Sequence, residues 1–264
     1  MNAETFLAQH QIFTIDEMRT ALKKNSKNST LQNLLTYHLQ KGHIIRIRKG
    51  LYYKVPKGND PKIYPVDPYL IAGKLTSDAV LAYHTSLGFH GKLHSLRNDF
   101  VYITQRKTSY FTFRNLSFKG ISTQLATDFG IEITDHQGCI IRVTNLERTF
   151  VDVLNRPSVM GDWEEIWRSL ESIEYLDLQQ VLAYVKTLYH ATTCARVAFF
   201  LDQHRQTFGI EEKDLCCFDT LIPKSPHYLD PHYRKKPGQL IDRWNLIVPR
   251  SLLQKKWEEP HENF

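Results

Sequence analysis

The sequence predicts an α+β protein in which a small domain of three helices and a β-hairpin precedes a larger, helix-rich α+β domain. Apolar residues recur at helical spacing through residues 3–40, and an apolar–polar alternation runs through residues 43–55 around a Lys49–Gly50 turn. From residue 58 onward, helix and strand patterns are mixed and no internal repeat occurs. Because residues 56–68 hold four prolines and no periodicity, we place the boundary there, between residues 1–57 and 58–264.

Each helix of the small domain has its own signal in the sequence. The first covers residues 3–10, and the second begins at Thr14, which stands at capping-box spacing from Glu17. The third ends near Gly42 and carries one apolar stripe, formed by Leu31, Leu34, Leu35 and Leu39. Polar residues occupy its other face: Gln32, Asn33, Thr36, Tyr37 and Gln40.

The alternation in the hairpin assigns its side chains to two faces. Ile45, Ile47, Tyr53 and Val55 are predicted to face the core. Arg46 and Arg48 are then expected to point together into solvent, and Gly50 lets the turn close because it tolerates a positive φ.

The formal charge of the chain is concentrated near its start. Residues 1–60 contain ten Lys and Arg against four Asp and Glu, a net charge of +6, whereas residues 61–264 contain 24 of each. A basic module attached to a neutral body favours a polyanion as its partner, although an acidic protein would satisfy the same charge.

Two helices joined by a polar turn and followed by a β-ribbon are typical of a winged helix-turn-helix, whose second helix enters the major groove of double-stranded DNA. We therefore predict phosphate contacts from the turn and the ribbon, and base contacts from the helix. The candidate DNA-binding residues are Lys23, Lys24 and Lys27 in the turn, Asn28, Ser29, Gln32, Asn33, Thr36 and Tyr37 in the helix, and Arg46, Arg48 and Lys49 in the wing.

In the larger domain, Asp67 and Ser77 are candidate N-caps of two helices, and strands are expected in residues 99–107, 110–122, 138–144 and 243–249. Four longer helices are expected between residues 144 and 209, the first of them ended by Pro157. The polar segment 223–239 is predicted to be a plain surface loop.

The larger domain shows no pattern that predicts a catalytic site, a metal site or a cofactor. His84, His90 and His94 do not share a helical face, and the adjacent Cys216 and Cys217 would point apart on a strand. The Glu211–Lys213 stretch has the glutamate and lysine of some nuclease sites, but no acidic partner is evident on a preceding strand. A nuclease delivered by the small domain, or a non-enzymatic protein-interaction module, stays an alternative.

Four stretches, in this order, resemble the AbiEi-type antitoxins of type IV (abortive infection) toxin–antitoxin systems. They are RIRKGLYYKVP, with Lys49–Gly50 in the place of an arginine–glycine pair, AVLAYHTSLGFHG, TNLERTFVDVLNRP and RWNLIVP. The resemblance implies a winged helix that binds operator repeats in the promoter of its own operon and represses it. It also implies a C-terminal antitoxin domain that antagonises a nucleotidyltransferase-like toxin, in that family without a stable complex.

The remaining features predict a cytoplasmic protein. No apolar run is long enough to span a bilayer, and the polar, acidic N-terminus does not resemble a signal peptide. The four cysteines show no paired spacing, as is common in a reducing compartment. We expect double-stranded DNA and the toxin as partners, and no membrane.

Overall fold

The computed structural model describes residues 1–22, 28–108, 110–123 and 129–255 of an α+β protein. The chain divides into two units. The first comprises Met1–Leu81, Arg97–Ala126 and Glu132–Val143, and the second comprises Ala82–Leu96, Thr127–Ile131 and Thr144–Phe264. Residues 1–57 are thus part of the first unit, which also contains later segments.

The first unit begins with the three predicted helices and the predicted hairpin. These are α1 (Ala3–Gln9), α2 (Ile15–Ala21), α3 (Asn28–Gln40) and the strands β2 (Ile44–Arg48) and β3 (Leu51–Lys54). A short strand that the sequence pattern does not predict, β1 (Ile12–Thr14), pairs antiparallel with β3 and makes a sheet of order β1-β3-β2. Its Phe13 is fully buried and packs in one apolar cluster with Phe6, Met18 and Leu35.

The rest of the first unit is α4 and a six-stranded sheet. Helix α4 (Pro68–Lys74) begins at the predicted cap Asp67, whose carboxylate accepts hydrogen bonds from the amides of Tyr69 and Leu70. The strands are β4 (Val80–Leu81), β5 (Asp99–Thr104), β6 (Phe111–Phe113), β7 (Leu116–Ser122), β8 (Ile131–His136) and β9 (Cys139–Thr144), in the order β6-β7-β5-β4-β9-β8. The predicted helix start at Ser77 is wrong, because the chain turns there and enters β4.

The second unit is mainly helical. Its helices are α5 (His84–Phe89), α6 (Leu146–Asn155), α7 (Pro157–Met160), α8 (Trp163–Glu171), α9 (Leu178–Leu188), α10 (Ala191–Gln203), α11 (Arg205–Phe208), α12 (Glu212–Cys216) and α13 (Arg250–Leu253). Strands β10 (His227–Tyr228), β11 (Gly238–Ile241) and β12 (Leu246–Pro249) form a sheet of order β10-β12-β11. The prediction of a plain loop over 223–239 is therefore wrong, since β12 supplies the hydrogen bonds that order both flanking strands.

A buried ion pair lies inside the second unit. Nε of Arg148 is 3.3 Å from Oδ2 of Asp152, four residues further along α6, and both side chains are almost fully buried. Tyr184 of α9 donates its hydroxyl to Oδ1 of Asp152 at 2.7 Å. Burial raises the pKa of Asp152, and the charge of Arg148 opposes that rise. The hydrogen bond from Tyr184 to Asp152 thereby links α9 to the ion pair of α6 in the core of this unit.

Within the described ranges, no helix has the length and apolarity needed to cross a membrane.

Candidate nucleic-acid interface

The candidate interface begins with the start of α2. Thr14 and Glu17 form the predicted capping box, with the Thr14 amide 2.7 Å from Oε2 of Glu17 and the Glu17 amide 3.2 Å from Oγ1 of Thr14. Such caps stabilise a helix by about 1 kcal/mol. Nζ of Lys74 lies 2.5 Å from Oε1 of Glu17. Burial alone would raise the pKa of Glu17, but hydrogen bonds from Lys74 and Thr14 hold it below its usual value.

Helix α3 presents the polar face that the sequence predicts. Leu31 and Leu35 are buried, whereas Gln32, Asn33, Thr36 and Tyr37 are exposed. His38 is a core residue of this helix that the apolar pattern does not predict. It is 6% exposed, and its Nδ1 lies 3.2 Å from Nδ1 of His43. Burial and the neighbouring His43 both lower the pKa of His38. A neutral His38 can therefore complete the apolar side of α3.

The hairpin separates two arginines that the sequence places on one face. A register shift between Arg46 and Arg48 makes Ile47 the extra residue of a β-bulge, and Ile47 is buried. Arg46 is exposed, but Arg48 is half-buried and donates a hydrogen bond to the carbonyl oxygen of Leu75. The prediction that both arginines face solvent together is thus wrong for Arg48.

The turn of the hairpin touches the start of α2. Gly50 has φ +86°, the left-handed conformation that the sequence analysis expected of it. Its carbonyl oxygen accepts a hydrogen bond of 2.9 Å from the amide of Ile15, the first residue of α2. The turn that carries Lys49 is therefore held against the helix that precedes α3.

These elements enclose a cleft of about 640 Å³ in the first unit. It brings four of the predicted DNA-binding residues together, Gln32 and Thr36 of α3 with Arg46 and Lys49 of the hairpin. The other lining residues are Thr14, Ile15, Asp16, Leu35, Leu39, Gly50 and Tyr52. Among the described residues, neither Arg46 nor Lys49 has a carboxylate partner, so both cations are available to an anion.

Asp16 is the acidic residue of this lining, and it is paired with Arg19 on the exposed surface of α2. Asn33 and Tyr37 are exposed on α3 but do not line the cleft, and neither does Arg48. Lys23, Lys24 and Lys27 lie outside the described residues. Asn28 and Ser29 belong to the first turn of α3, and their side chains also lie outside what the structure describes.

The net positive charge of the chain extends beyond residues 1–60. The first unit holds 18 Lys and Arg against nine Asp and Glu, a net charge of +9, while the second unit holds 16 against 19, a net charge of −3. Since residues 1–60 account for +6, the remainder of the first unit contributes the other +3. The cleft therefore lies in the basic unit of the protein.

Two of the residues weighed for catalysis or metal binding, His90 and Glu211, have structural partners in the second unit. His90 hydrogen-bonds the carbonyl oxygen of Thr144 at 2.9 Å, and Glu211 forms an exposed ion pair with Lys213 at 2.7 Å. Cys216 and Cys217 lie at the end of α12, so the strand assigned to them is wrong. No group of three or more potential metal ligands occurs among the residues that the structure describes.

Comparison with known proteins identifies a fold relative. No protein-family model matches the chain, and no curated protein matches its sequence. The crystal structure of the RV2827C protein from Mycobacterium tuberculosis is similar, with a TM-score of 0.62 and 14% sequence identity over 94% of this chain and 90% of that chain. At this identity the similarity concerns the α+β fold.

Proposed function

We infer that residues 1–57 act as a winged helix-turn-helix that binds double-stranded DNA, with α3 as the recognition helix and the β2–β3 hairpin as the wing. The observation that carries this proposal is the cleft in which Gln32 and Thr36 of α3 face the same space as Arg46 and Lys49. In such modules a helix reads base edges while the flanking ribbon contacts the backbone. Amide side chains suit adenine, and cations without carboxylate partners suit phosphates.

The resemblance of four stretches to AbiEi-type antitoxins extends the proposal to a biological role. The chain is then a cytoplasmic transcriptional repressor that binds operator repeats in its own promoter and antagonises a nucleotidyltransferase-like toxin encoded beside it. It acts without a cofactor and without catalysis of its own. Antagonism proceeds without a stable complex between the two proteins.

DNA binding is tested by fluorescence anisotropy with a labelled duplex from the region directly upstream of the coding sequence, titrated at several salt concentrations. We expect the logarithm of the association constant to fall linearly with the logarithm of the salt concentration, with a slope of several units. Binding that is absent, or that does not depend on salt, would refute the proposal.

The antitoxin role needs a separate test, because DNA binding alone does not establish it. We expect co-expression of this chain to restore growth to cells that express the neighbouring toxin gene. Continued growth arrest, with both proteins present, would refute the antitoxin role and leave DNA binding intact. Metal-dependent DNA cleavage lost in Glu211→Ala would favour a nuclease instead.

A further inference from the structure

A basic loop of the first unit, residues 105–107, is held at both ends. At its start, the carboxylate of Asp78 accepts hydrogen bonds from Oγ1 of Thr104 at 2.6 Å and from the amide of Gln105 at 2.8 Å. Just after it, Oγ1 of Thr108 donates to the carbonyl oxygen of Gly120 at 3.0 Å. The loop is therefore fixed by two separate contacts to the sheet and the β4 region.

Gly120 is required for the second of these contacts. A Cβ atom at this position would stand 2.6 Å from Cβ of Thr108 and 2.9 Å from Cζ of Tyr102, both too close for real atoms. The absence of a side chain at residue 120 is what lets Thr108 approach β7. A loop held so closely presents its side chains at a small conformational cost on binding.

The side chains of this loop point into solvent. Gln105, Arg106 and Lys107 are all exposed. Arg106 makes an ion pair with Asp78 at a distance of 3.6 Å, and its side chain stays 66% exposed. Lys107 forms no ion pair with any residue in the described part of the chain. An exposed ion pair of this length contributes little energy, so both cations can meet an external anion.

The loop lies beside the wing. Arg48 of β2 bonds to the carbonyl oxygen of Leu75, and the next residue, Thr76, donates its hydroxyl to Oγ1 of Thr104 at 3.1 Å. Burial raises the pKa of Tyr102, two residues before Thr104, while the charge of Arg48 lowers it and that of Asp78 raises it. A short chain of contacts thus runs from Arg48, which flanks the turn of the wing, to the start of the loop.

We propose that Arg106 and Lys107 form a second phosphate-contacting point beside the wing, which grips the backbone of the same double-stranded DNA. This inference rests on the proposed function of the first unit and extends its interface beyond residue 57. The loop contributes two of the cations that lie outside residues 1–60 in the basic unit. Contacts of this kind add affinity and register without reading sequence.

The test compares salt slopes for the full-length chain on two duplexes, one from the upstream region and one of random sequence. We expect Arg106→Gln/Lys107→Gln to reduce the magnitude of the salt slope by about 2 units on both duplexes, because each lost phosphate contact removes close to one unit. The charge-conserving variant Arg106→Lys/Lys107→Arg should keep the wild-type slope. A matched control, Lys186→Gln/Lys213→Gln, removes two exposed lysines from the second unit.

The outcomes separate this inference from the proposed function. An unchanged slope in the loop variant, with a lowered slope in Arg46→Gln/Lys49→Gln, overturns the loop contact and keeps DNA binding by the wing. If the magnitude of the salt slope decreases equally in the loop variant and in the lysine control, the effect comes from net charge, and the inference is also overturned. Wild-type protein that fails to bind either duplex refutes the proposed function itself.

Discussion

The guanidinium group of Arg48 donates a hydrogen bond to the carbonyl oxygen of Leu75, the residue at the C-terminal end of α4. Two positions earlier in the same strand, Arg46 is exposed and lines the cleft beside α3. The two arginines of this strand therefore lie in different environments, because the β-bulge at Ile47 interrupts the alternation of side chains along β2. Arg48 fastens the hairpin within the first unit, and Arg46 is left for a ligand.

Neutralising Arg46 or Lys49 should weaken DNA binding. For Arg46→Gln and for Lys49→Gln we expect the magnitude of the salt slope to decrease by about 1 unit each. The loss of affinity should be similar for every duplex sequence. Arg48→Gln is the matched comparison, and we expect it to lower the melting temperature while leaving the slope nearly unchanged. A slope loss in Arg48→Gln equal to that in Arg46→Gln would show that Arg48 also contacts phosphate.

Changes at Gln32 should alter sequence preference rather than general affinity. Gln32 is exposed on α3 and lines the cleft, and a bidentate amide–base contact is worth about 1–3 kcal/mol of discrimination. We expect Gln32→Ala to relax the preference at one base position in a selection from randomised duplexes. Asn33→Ala, on the same helix but outside the cleft, is the control. A selection in which only Asn33→Ala shifts the preference would place the reading face elsewhere on α3.

The contact between Lys74 and Glu17 should make the stability of the first unit depend on pH. The pKa of Glu17 is lowered from 4.5 in the folded state, so its ionised form stabilises the fold at pH values above 4.5. That contribution is lost as the pH falls through the lower, folded-state pKa. We expect Lys74→Met to reduce the free energy of unfolding at pH 7, measured by urea titration. It should also make that free energy depend less on pH below 4.5. Lys74→Arg, which keeps the charge, should retain most of that pH dependence.

Breaking the buried ion pair of α6 should destabilise the second unit far more than breaking an exposed one. Asp152→Asn leaves the charge of Arg148 buried without a carboxylate, a loss of about 3–5 kcal/mol. The matched control is Glu164→Gln on α8, which removes an i,i+4 partner of Arg168 at 3.0 Å on a more exposed surface. We expect that control to cost roughly 0.3–0.5 kcal/mol. Equal free energies of unfolding for the two variants, from urea titrations, would contradict the assignment.

Local signals predict a large part of this fold. The capping box at Thr14, the apolar stripe of α3, the Gly50 turn and the cap at Asp67 all appear in the structure, because each depends on residues within a few positions of one another. The same holds for the long helices of the second unit. For these elements, spacing and residue type contain most of the physical information.

The features that were missed depend on residues far away in the chain. Strand β1 is only three residues long and exists because β3, some 40 residues later, supplies its hydrogen bonds. The exposure of Arg46 and the engagement of Arg48 depend on Leu75 and on the bulge, neither of which is visible in the alternation of residues 43–55. Likewise β10 and β11 are ordered by β12, so 223–239 alone looks like an unstructured polar stretch.

The cleft could be predicted only in part. Gln32, Thr36, Arg46 and Lys49 are found together, as expected from a helix followed by a ribbon. The basic loop of Arg106 and Lys107 could not be predicted from the sequence, because its relation to the wing runs through Leu75, Thr76 and Thr104. The net charge of consecutive sequence segments does not indicate this loop. The net charge of each structural unit does, because Arg106 and Lys107 belong to the basic first unit.

Neither unit is continuous in sequence, and this affects how the protein forms during translation. The chain leaves the first unit after Leu81 and supplies its last segment only at Val143, by which point parts of the second unit have already been made. At about 5–20 residues per second, a ribosome needs roughly 3–12 seconds to add the residues between those two positions. During that interval the nascent first unit lacks β9, the parallel neighbour of β4, so that edge of β4 stays unpaired until β9 is made.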